Sequence, residues 1–318
     1  MALNCTDIDD VLEKYYLSPT YAFQFCVGFP GNLLVILGYI FFLPEWQSCN
    51  IYLFNLAVSD LVFLCTLPRL SYLYANDQSE TNPMACIANR YILHVNLYSS
   101  ILFMVWLSMD RYLLIKHPTK NHRLLKRRAA LTITILSWVA VNLEITPMIG
   151  LMIQDLQSGN FTRCKDFASL KGDIVDVLGY SFCLTLTGYL LPLLGLCVFS
   201  HRIAHLLNVQ ERALQRRTSS YKRPLRVAVS AAAMFLILYT PYHVMRNVRI
   251  ASQQPWAGLQ LCTKTYIEIL YIFTRPLAFL HSVLNPLFYF LIGDKFRDLL
   301  LSRLRKLFRK KELQQEPA

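Results

Sequence analysis

Four arginines stand where arginine is costly. Arg90, Arg246, Arg249 and Arg275 each fall toward the end of a long apolar run. A charge inside a membrane span costs about 2.5–3.5 kcal/mol even on the mild insertion scale, so it needs a partner or a purpose. A guanidinium grips a carboxylate through two parallel N–H···O bonds, which a lysine ammonium cannot reproduce. His94 follows Arg90 by four residues, and Tyr242 and His243 precede Arg246 by four and three. Helical spacing puts each set on one face. Tyr21, Tyr74 and Tyr91 add hydroxyl donors. These residue types suit a site for a small carboxylate-bearing anion. Two alternatives stay open: Arg249, the outermost, also suits snorkelling or pairing with acidic loops, and His94 also reads as a satisfied core histidine. Asp166, two residues after Cys164, suits organising the arginines from a loop.

The elements that must position these residues are seven apolar stretches, at 19–43, 51–75, 86–116, 129–151, 174–203, 225–251 and 265–292. Each reaches the roughly 20 residues of a membrane helix. The chain of 318 residues is 54% hydrophobic and 16% charged, with a mean hydropathy of +0.34. Soluble domains carry about 25% charged residues, so this is an all-α membrane protein: a seven-helix bundle over 19–292, with an N-terminal segment 1–18 and a tail 293–318. Prolines at 30, 68, 147, 192, 241, 276 and 286 lie inside the stretches and predict kinks. The stretch from Cys86 to Arg111 organises the others. As a helix it spans about 38 Å, a membrane thickness, with chemistry at both ends.

The net charge of +12 is gathered in loops and tail. Lys116, Lys120, Arg123, Lys126, Arg127 and Arg128 fill one loop, and a second run of arginines fills 202–226. The opposite side carries the acidic N-terminus and Glu80. Positive-inside therefore predicts the N-terminus outside and the tail in the cytoplasm, in a multi-pass plasma-membrane protein. No nucleic-acid partner is expected, because the basic residues follow membrane topology. The sequons at Asn4 and Asn160 then face outside, as glycosylation needs. From Asp294 to about Phe308, leucines repeat at helical spacing between cations, which predicts a helix lying on anionic membrane lipid. Of nine cysteines, Cys5, Cys86, Cys164 and Cys262 lie at run ends or in outer loops, an even number suited to two disulfides. No nucleotide loop, metal-protease motif or supported nucleophile appears, so no enzyme is predicted. The seventh stretch has only Lys264, at its outer end, which excludes a retinal pump.

Asp110-Arg111-Tyr112 ends the third stretch, Asn32 lies in the first, and Asn55 and Asp60 in the second. Trp138, Pro192 and Pro241 mark the next three, and Asn285-Pro286 with Tyr289 marks the seventh. In this order, one set per span, the chain resembles the rhodopsin-like G-protein-coupled receptors over almost its whole length. Lys14-Tyr15-Tyr16-Leu17-Ser18, the run from Thr240 to Ser252, and Thr274-Arg275-Pro276 narrow the resemblance to the succinate receptors, beside the oxoglutarate and purinergic nucleotide receptors.

That resemblance implies a receptor for an extracellular dicarboxylate such as succinate, with oxoglutarate or a nucleotide as the alternative ligand and an anion transporter as the more distant one. It implies ligand residues Arg90, His94, Arg246, Arg249, Arg275, Tyr21, Tyr74, Tyr91 and His243. Inside, it implies a switch made of Asp110, Arg111, Tyr112, Asn285, Pro286 and Tyr289. Its partners would be a heterotrimeric G protein of the Gi and/or Gq class, and arrestin. Cys86–Cys164 is the pair such a family makes, leaving Cys5–Cys262. No cofactor is implied beyond an allosteric sodium ion at Asp60, Asn96, Ser100 and Asn285. Two residues depart from the pattern: His281 stands where the family usually supplies asparagine, and Tyr239 replaces the usual tryptophan.

Overall fold

The computed structural model describes residues 11–43, 45–117, 122–157, 164, 166–170, 174–214, 222–292 and 302. Seven helices are long and apolar enough to cross a membrane. They are α1 (Glu13–Phe42), α2 (Ser48–Ala75), α3 (Pro83–Lys116), α4 (Arg127–Gln157), α5 (Asp176–Val209), α6 (Ala228–Ser252) and α7 (Leu261–Leu287). Several ends run a few residues past the apolar stretches, and others fall a few residues short. The clearest case is α3, whose Pro83 sits in the first turn while the Asn82 side chain accepts from the N–H groups of Met84 and Ala85. At the chain start, helix already covers Glu13–Leu17, inside the segment expected to be a polar terminus. The tail helix expected from Asp294, the sequons at Asn4 and Asn160, and Cys5 lie outside the described residues, as does the Tyr289 side chain.

Helix α3 is the axis. In its most apolar window 78% of residues are buried, more than in any other span, and it packs on α2, α4, α5 and α6. Large apolar side chains such as Phe41, Leu143, Leu191 and Leu270 point outward, where a bilayer would cover them.

The prolines do their work in three ways. Pro68 has no N–H, and α2 turns at Cys65-Thr66 just before it, with Thr66 Oγ1 donating to the Phe63 carbonyl at 2.7 Å. Ahead of Pro192 and Pro241 the helices widen into π turns at Leu186–Leu190 and Phe235–Tyr239, which carry the chain past the lost bonds. In α7, downstream of Pro276, Leu280 N–H bonds the Leu277 carbonyl at 3.2 Å, so the Pro276 carbonyl is released. Gln24 Nε2 donates to that carbonyl at 2.7 Å, tying α1 to the break.

The widened turn of α5 lets Gly188 approach α3. A Cβ there would lie under 3.0 Å from the Tyr98 ring and 3.1 Å from Glu144 Oε1. Gly188→Ala should therefore lower the thermal midpoint of detergent-purified protein by several degrees, at an overpacking cost of about 1–3 kcal/mol. Gly179→Ala, where a Cβ meets nothing within 4 Å, serves as the control. Equal midpoints for the two variants would contradict the close approach.

Candidate functional site

A disulfide builds the floor of the site from above. Cys86, in the first turn of α3, is bonded to Cys164 with Cα atoms 5.7 Å apart. Cys262 is also disulfide-bonded, its expected partner Cys5 lying outside the described residues. The backbone N–H of Cys164 donates to Ser79 Oγ at 2.9 Å. Held at that point, the chain dips into the helix bundle and Phe167 becomes fully buried. Its ring meets His94 edge-on at 5.8 Å and Tyr180 at 5.7 Å.

That dip delivers Asp166 between two arginines from different helices. Its Oδ1 lies 3.6 Å from Arg90 Nη1 on α3, and its Oδ2 lies 3.8 Å from Arg275 Nε on α7. The Tyr271 hydroxyl, one turn before Arg275, donates to Oδ2. Arg275 Nη2 also donates to the Tyr74 hydroxyl at 3.3 Å, and the Tyr74 ring packs on Tyr21. Burial alone would raise the Asp166 carboxyl. The guanidiniums of Arg275 and Arg90, with the Tyr271 bond, outweigh burial and hold it well below the usual carboxylate range. A cavity of about 300 Å³ opens beside Arg90 between α2 and α3, walled in part by Tyr74, Asn89 and Cys164.

Arg246 is different. It is fully buried, and every partner it has is neutral. Nε donates to Ser181 Oγ at 3.1 Å, Nη1 to the Tyr98 hydroxyl at 2.7 Å, and Nη2 to the Ser181 carbonyl at 3.1 Å and Thr185 Oγ1 at 3.0 Å. The guanidinium also lies over the rings of Tyr242 and Phe167. Phe167 thus touches both Arg246 and His94, joining the two halves of the site. The nearby carboxyl of Glu144 accepts from Thr187 instead.

Two histidines complete the cluster. His94 Nδ1 lies 2.8 Å from the Arg90 carbonyl, to which it must donate, so Nε2 of the neutral ring is an acceptor; that atom is buried with no partner. His243 is buried with neither nitrogen bonded, its ring stacked on Tyr189 at 4.5 Å. An unbonded buried polar atom is costly, and a ligand is one way to satisfy it.

Arg90, His94, His243, Arg246, Arg275, Tyr21 and Tyr74 therefore converge as their positions predict. Two candidates do not join them. Arg249 pairs with Glu268 of α7 at 2.5 Å, and the Tyr91 hydroxyl donates to Asn142 of α4. Tyr98, Tyr271, Tyr242, Phe167, Ser181 and Thr185 also stand in the cluster and are absent from the ligand set that the resemblance implies, although the spacing before Arg246 already points to Tyr242. A signal for three of them lay in helical spacing: Tyr98 is one turn beyond His94, Tyr271 one turn before Arg275, and Tyr242 one turn before Arg246. Among the described residues, three guanidiniums (Arg90, Arg246, Arg275) stand against one carboxylate at ion-pair distance (Asp166), an excess of two positive units that only the more distant Glu144 carboxyl near Arg246 offsets.

At the far end of α3, Arg111 Nη2 lies 3.0 Å from Asp110 Oδ2, and the Ser48 hydroxyl donates to Asp110 Oδ1. Tyr112 packs on Phe199 of α5. Midway, Asn285 Nδ2 donates to Asp60 at 2.7 Å, and Pro286 packs within 3.1 Å of where a Cβ on Gly31 would sit.

Asp166→Asn removes the only carboxylate that pairs with Arg90 and Arg275 among the described residues. Breaking a buried pair from one side costs about 3–5 kcal/mol. The purified variant should melt at least about 5 °C lower without ligand and recover part of that in saturating dicarboxylate. Because the folded carboxyl is depressed, its contribution is complete above the unfolded value near 3.9 and fades only below it. The deficit should therefore be the same at pH 5.5 and pH 8; a deficit that shrinks between those values would contradict the pairing.

The family model for the seven-transmembrane receptors of the rhodopsin family matches residues 31–289. Succinate receptor 1 of Rattus norvegicus is 47% identical over 309 residues, covering 96% of this chain and 95% of that one. Succinate receptor 1 of Mus musculus is 46% identical over 301 residues, covering 94% and 93%. 2-oxoglutarate receptor 1 of Rattus norvegicus is 31% identical over 303 residues, covering 95% and 88%. With seven membrane-crossing helices, their signature residues in order and this match along the bundle, the chain belongs to the rhodopsin family of seven-transmembrane receptors.

Proposed function

We propose that this receptor binds succinate at the disulfide end of the bundle and passes the signal to a heterotrimeric G protein at the Asp110 end. The positive-inside pattern supports a disulfide end outside the cell and basic loops in the cytoplasm. The observation that carries the ligand is the charge imbalance: three buried guanidiniums face one built-in carboxylate. A dianion cancels the remainder. One ligand carboxylate meets Arg246, near the free Nε2 of His94. The other joins Asp166 at Arg90 and Arg275, with Tyr74 and Tyr21 beside them. Tyr91 lies outside this ligand set, and Arg249 shapes its rim through Glu268. The relatives named for succinate support the four-carbon diacid over longer or phosphorylated anions.

The clamp predicts an order of potencies. Each charge-assisted bond contributes about 1.5–3 kcal/mol, and losing one leaves buried charges unpaired. Butyrate, which keeps the length and loses one carboxylate, should be at least about tenfold weaker than succinate, a difference of about 1.4 kcal/mol. Arg275→Lys should fail nearly as badly as Arg275→Ala, since a point charge does not replace the planar fork. The assay is ligand-stimulated nucleotide exchange on added G protein. Equal potency for the two acids, or a silent Arg275→Lys, sinks the two-ended clamp.

The inner end works as a charge lock. Asp110 holds Arg111, and Ser48 of α2 holds Asp110, so the closed state is fastened to two helices. Outward movement of α6 would release Arg111 to a G protein of the Gi or Gq class, as a shift between two populated states, and the same opened face would meet arrestin. Asp110→Asn should raise ligand-independent nucleotide exchange at matched surface expression, and Ser48→Ala should raise it by a smaller factor. A basal rate that stays level in both variants contradicts the lock.

A further inference from the structure

Helix α7 is broken just past Arg275. Pro276 offers no N–H, the helix runs on to Phe279, turns at Leu280 and resumes at His281. The outer part carries Tyr271 and Arg275, and the inner part carries Ser282 and Asn285. A broken helix is a joint, and the angle between its two parts is set by whatever else holds them.

What holds them is α1. Below the break, Asn32 Nδ2 donates to the Ser282 carbonyl at 2.8 Å. At the break, Gln24 Nε2 donates at 2.7 Å to the Pro276 carbonyl, which lost its helical partner when Leu280 N–H turned to Leu277. Above it, the Tyr16 hydroxyl donates to the Phe273 carbonyl at 3.1 Å. Helix α1 therefore lies along α7 as a splint, with one bond on each side of Arg275.

Gln24 is the central fastening. It is fully buried, and a carbonyl only accepts, so its amide nitrogen must face Pro276. The other end of the amide, Oε1, is buried with no hydrogen-bond partner, which is costly. What the side chain gains in return is the Pro276 carbonyl.

Arg275 tolerates little change at this joint. Its Nη2 reaches the Tyr74 hydroxyl at 3.3 Å and its Nε reaches Asp166 Oδ2 at 3.8 Å, both at the long end of the bonding range. Tyr74 belongs to α2 and Asp166 to the loop after α4, so neither follows α7 when it tilts. A tilt away from them by about 0.5 Å carries both contacts out of reach.

We propose that Gln24 is a positioning residue for Arg275: its bond to the Pro276 carbonyl fixes the outer part of α7 at the angle that brings the guanidinium to Asp166 and to the ligand carboxylate. The contact with Asp166 stands without any ligand, and the contact with a carboxylate rests on the succinate reading above.

Gln24→Met keeps the length of the side chain and removes the donor. Purified receptor is melted without ligand as wild type, Gln24→Met, Asp166→Asn and the double variant. Sites that share no partner add their effects, whereas two changes that release the same arginine do not. The double variant should therefore lose at least about 2 °C less than the two single losses together. Gln24→Met combined with Asp110→Asn, at the far end of α3, should add. Additive losses with Asp166→Asn, or an equal shortfall with Asp110→Asn, overturn the proposal. Ligand-stimulated nucleotide exchange gives the second readout. Weakening the Arg275 end should narrow the advantage of succinate over butyrate by about threefold or more, which a general loss of folded receptor would not do. An unchanged advantage in Gln24→Met also overturns the proposal. If wild type itself does not separate the two acids, the ligand reading falls while the ligand-free cycle still decides on Gln24. Should Gln24→Met fail to fold, Gln24→Leu and Tyr16→Phe enter the same cycle with the same expected shortfall.

Discussion

Buried charge governs this molecule. In a bundle with little water inside, a guanidinium must be neutralised, solvated by fixed dipoles, or left as an unmet demand. Asp166 is the point where that demand is partly met. It belongs to a loop rather than a helix, and it reaches Arg90 and Arg275 because the Cys86–Cys164 bond anchors the chain two residues earlier. The disulfide therefore does more than staple a loop. It sets the height at which a negative charge enters the bundle, and with it the charge balance around Arg90 and Arg275.

The same rule recurs down α3. Arg90 meets Asp166 near the top, Asn96 and Ser100 meet Asp60 in the middle, and Arg111 meets Asp110 at the base. From residue 90 to residue 110 a helix rises about 30 Å. Three polar stations thus lie along one helix: the Asp166 loop and through it α7 above, α2 and α7 in the middle, α2 below. Because α3 is buried along most of its length, it has little freedom to bend independently of those neighbours. A ligand that alters the top station changes the relation of α3 to α7, and α7 carries the middle station. Coupling by rigid elements between two discrete arrangements needs no other wire.

Much of this was legible in the residues. Seven apolar runs of membrane length, a loop bias of positive charge and arginines near run ends follow from single-sequence chemistry, because bilayer cost acts on each residue separately. What depends on rotation about a helix axis was less legible. Arg90 and Tyr91 are neighbours in sequence, yet about 100° of turn sends Arg90 to the loop carboxylate of Asp166 and Tyr91 to Asn142 of α4. What depends on two helices meeting was not legible at all. Nothing in the spacing of Ser48 announces Asp110, and nothing in Glu268 announces Arg249. The prolines at 192 and 241 predicted kinks, but widened turns absorb the missing bonds, and one of these turns brings Gly188 against Tyr98.

Arg246 shows why satisfaction and neutrality must be kept apart. Its hydrogens are well used, with Ser181, Tyr98 and Thr185 all accepting from it, so it has no unmet bond that would force it outward. Hydroxyls and carbonyls spread a cation's field without cancelling it. The positive potential of the guanidinium therefore persists in the interior, beside the unbonded nitrogens of His94 and His243. A carboxylate bonded to it would make the arginine quiet and take one positive unit from the site. Arg249, only three residues on, is already quiet because Glu268 claims it. The contrast between these two arginines on one helix is between a cation paired with a carboxylate and a cation bonded only by neutral groups.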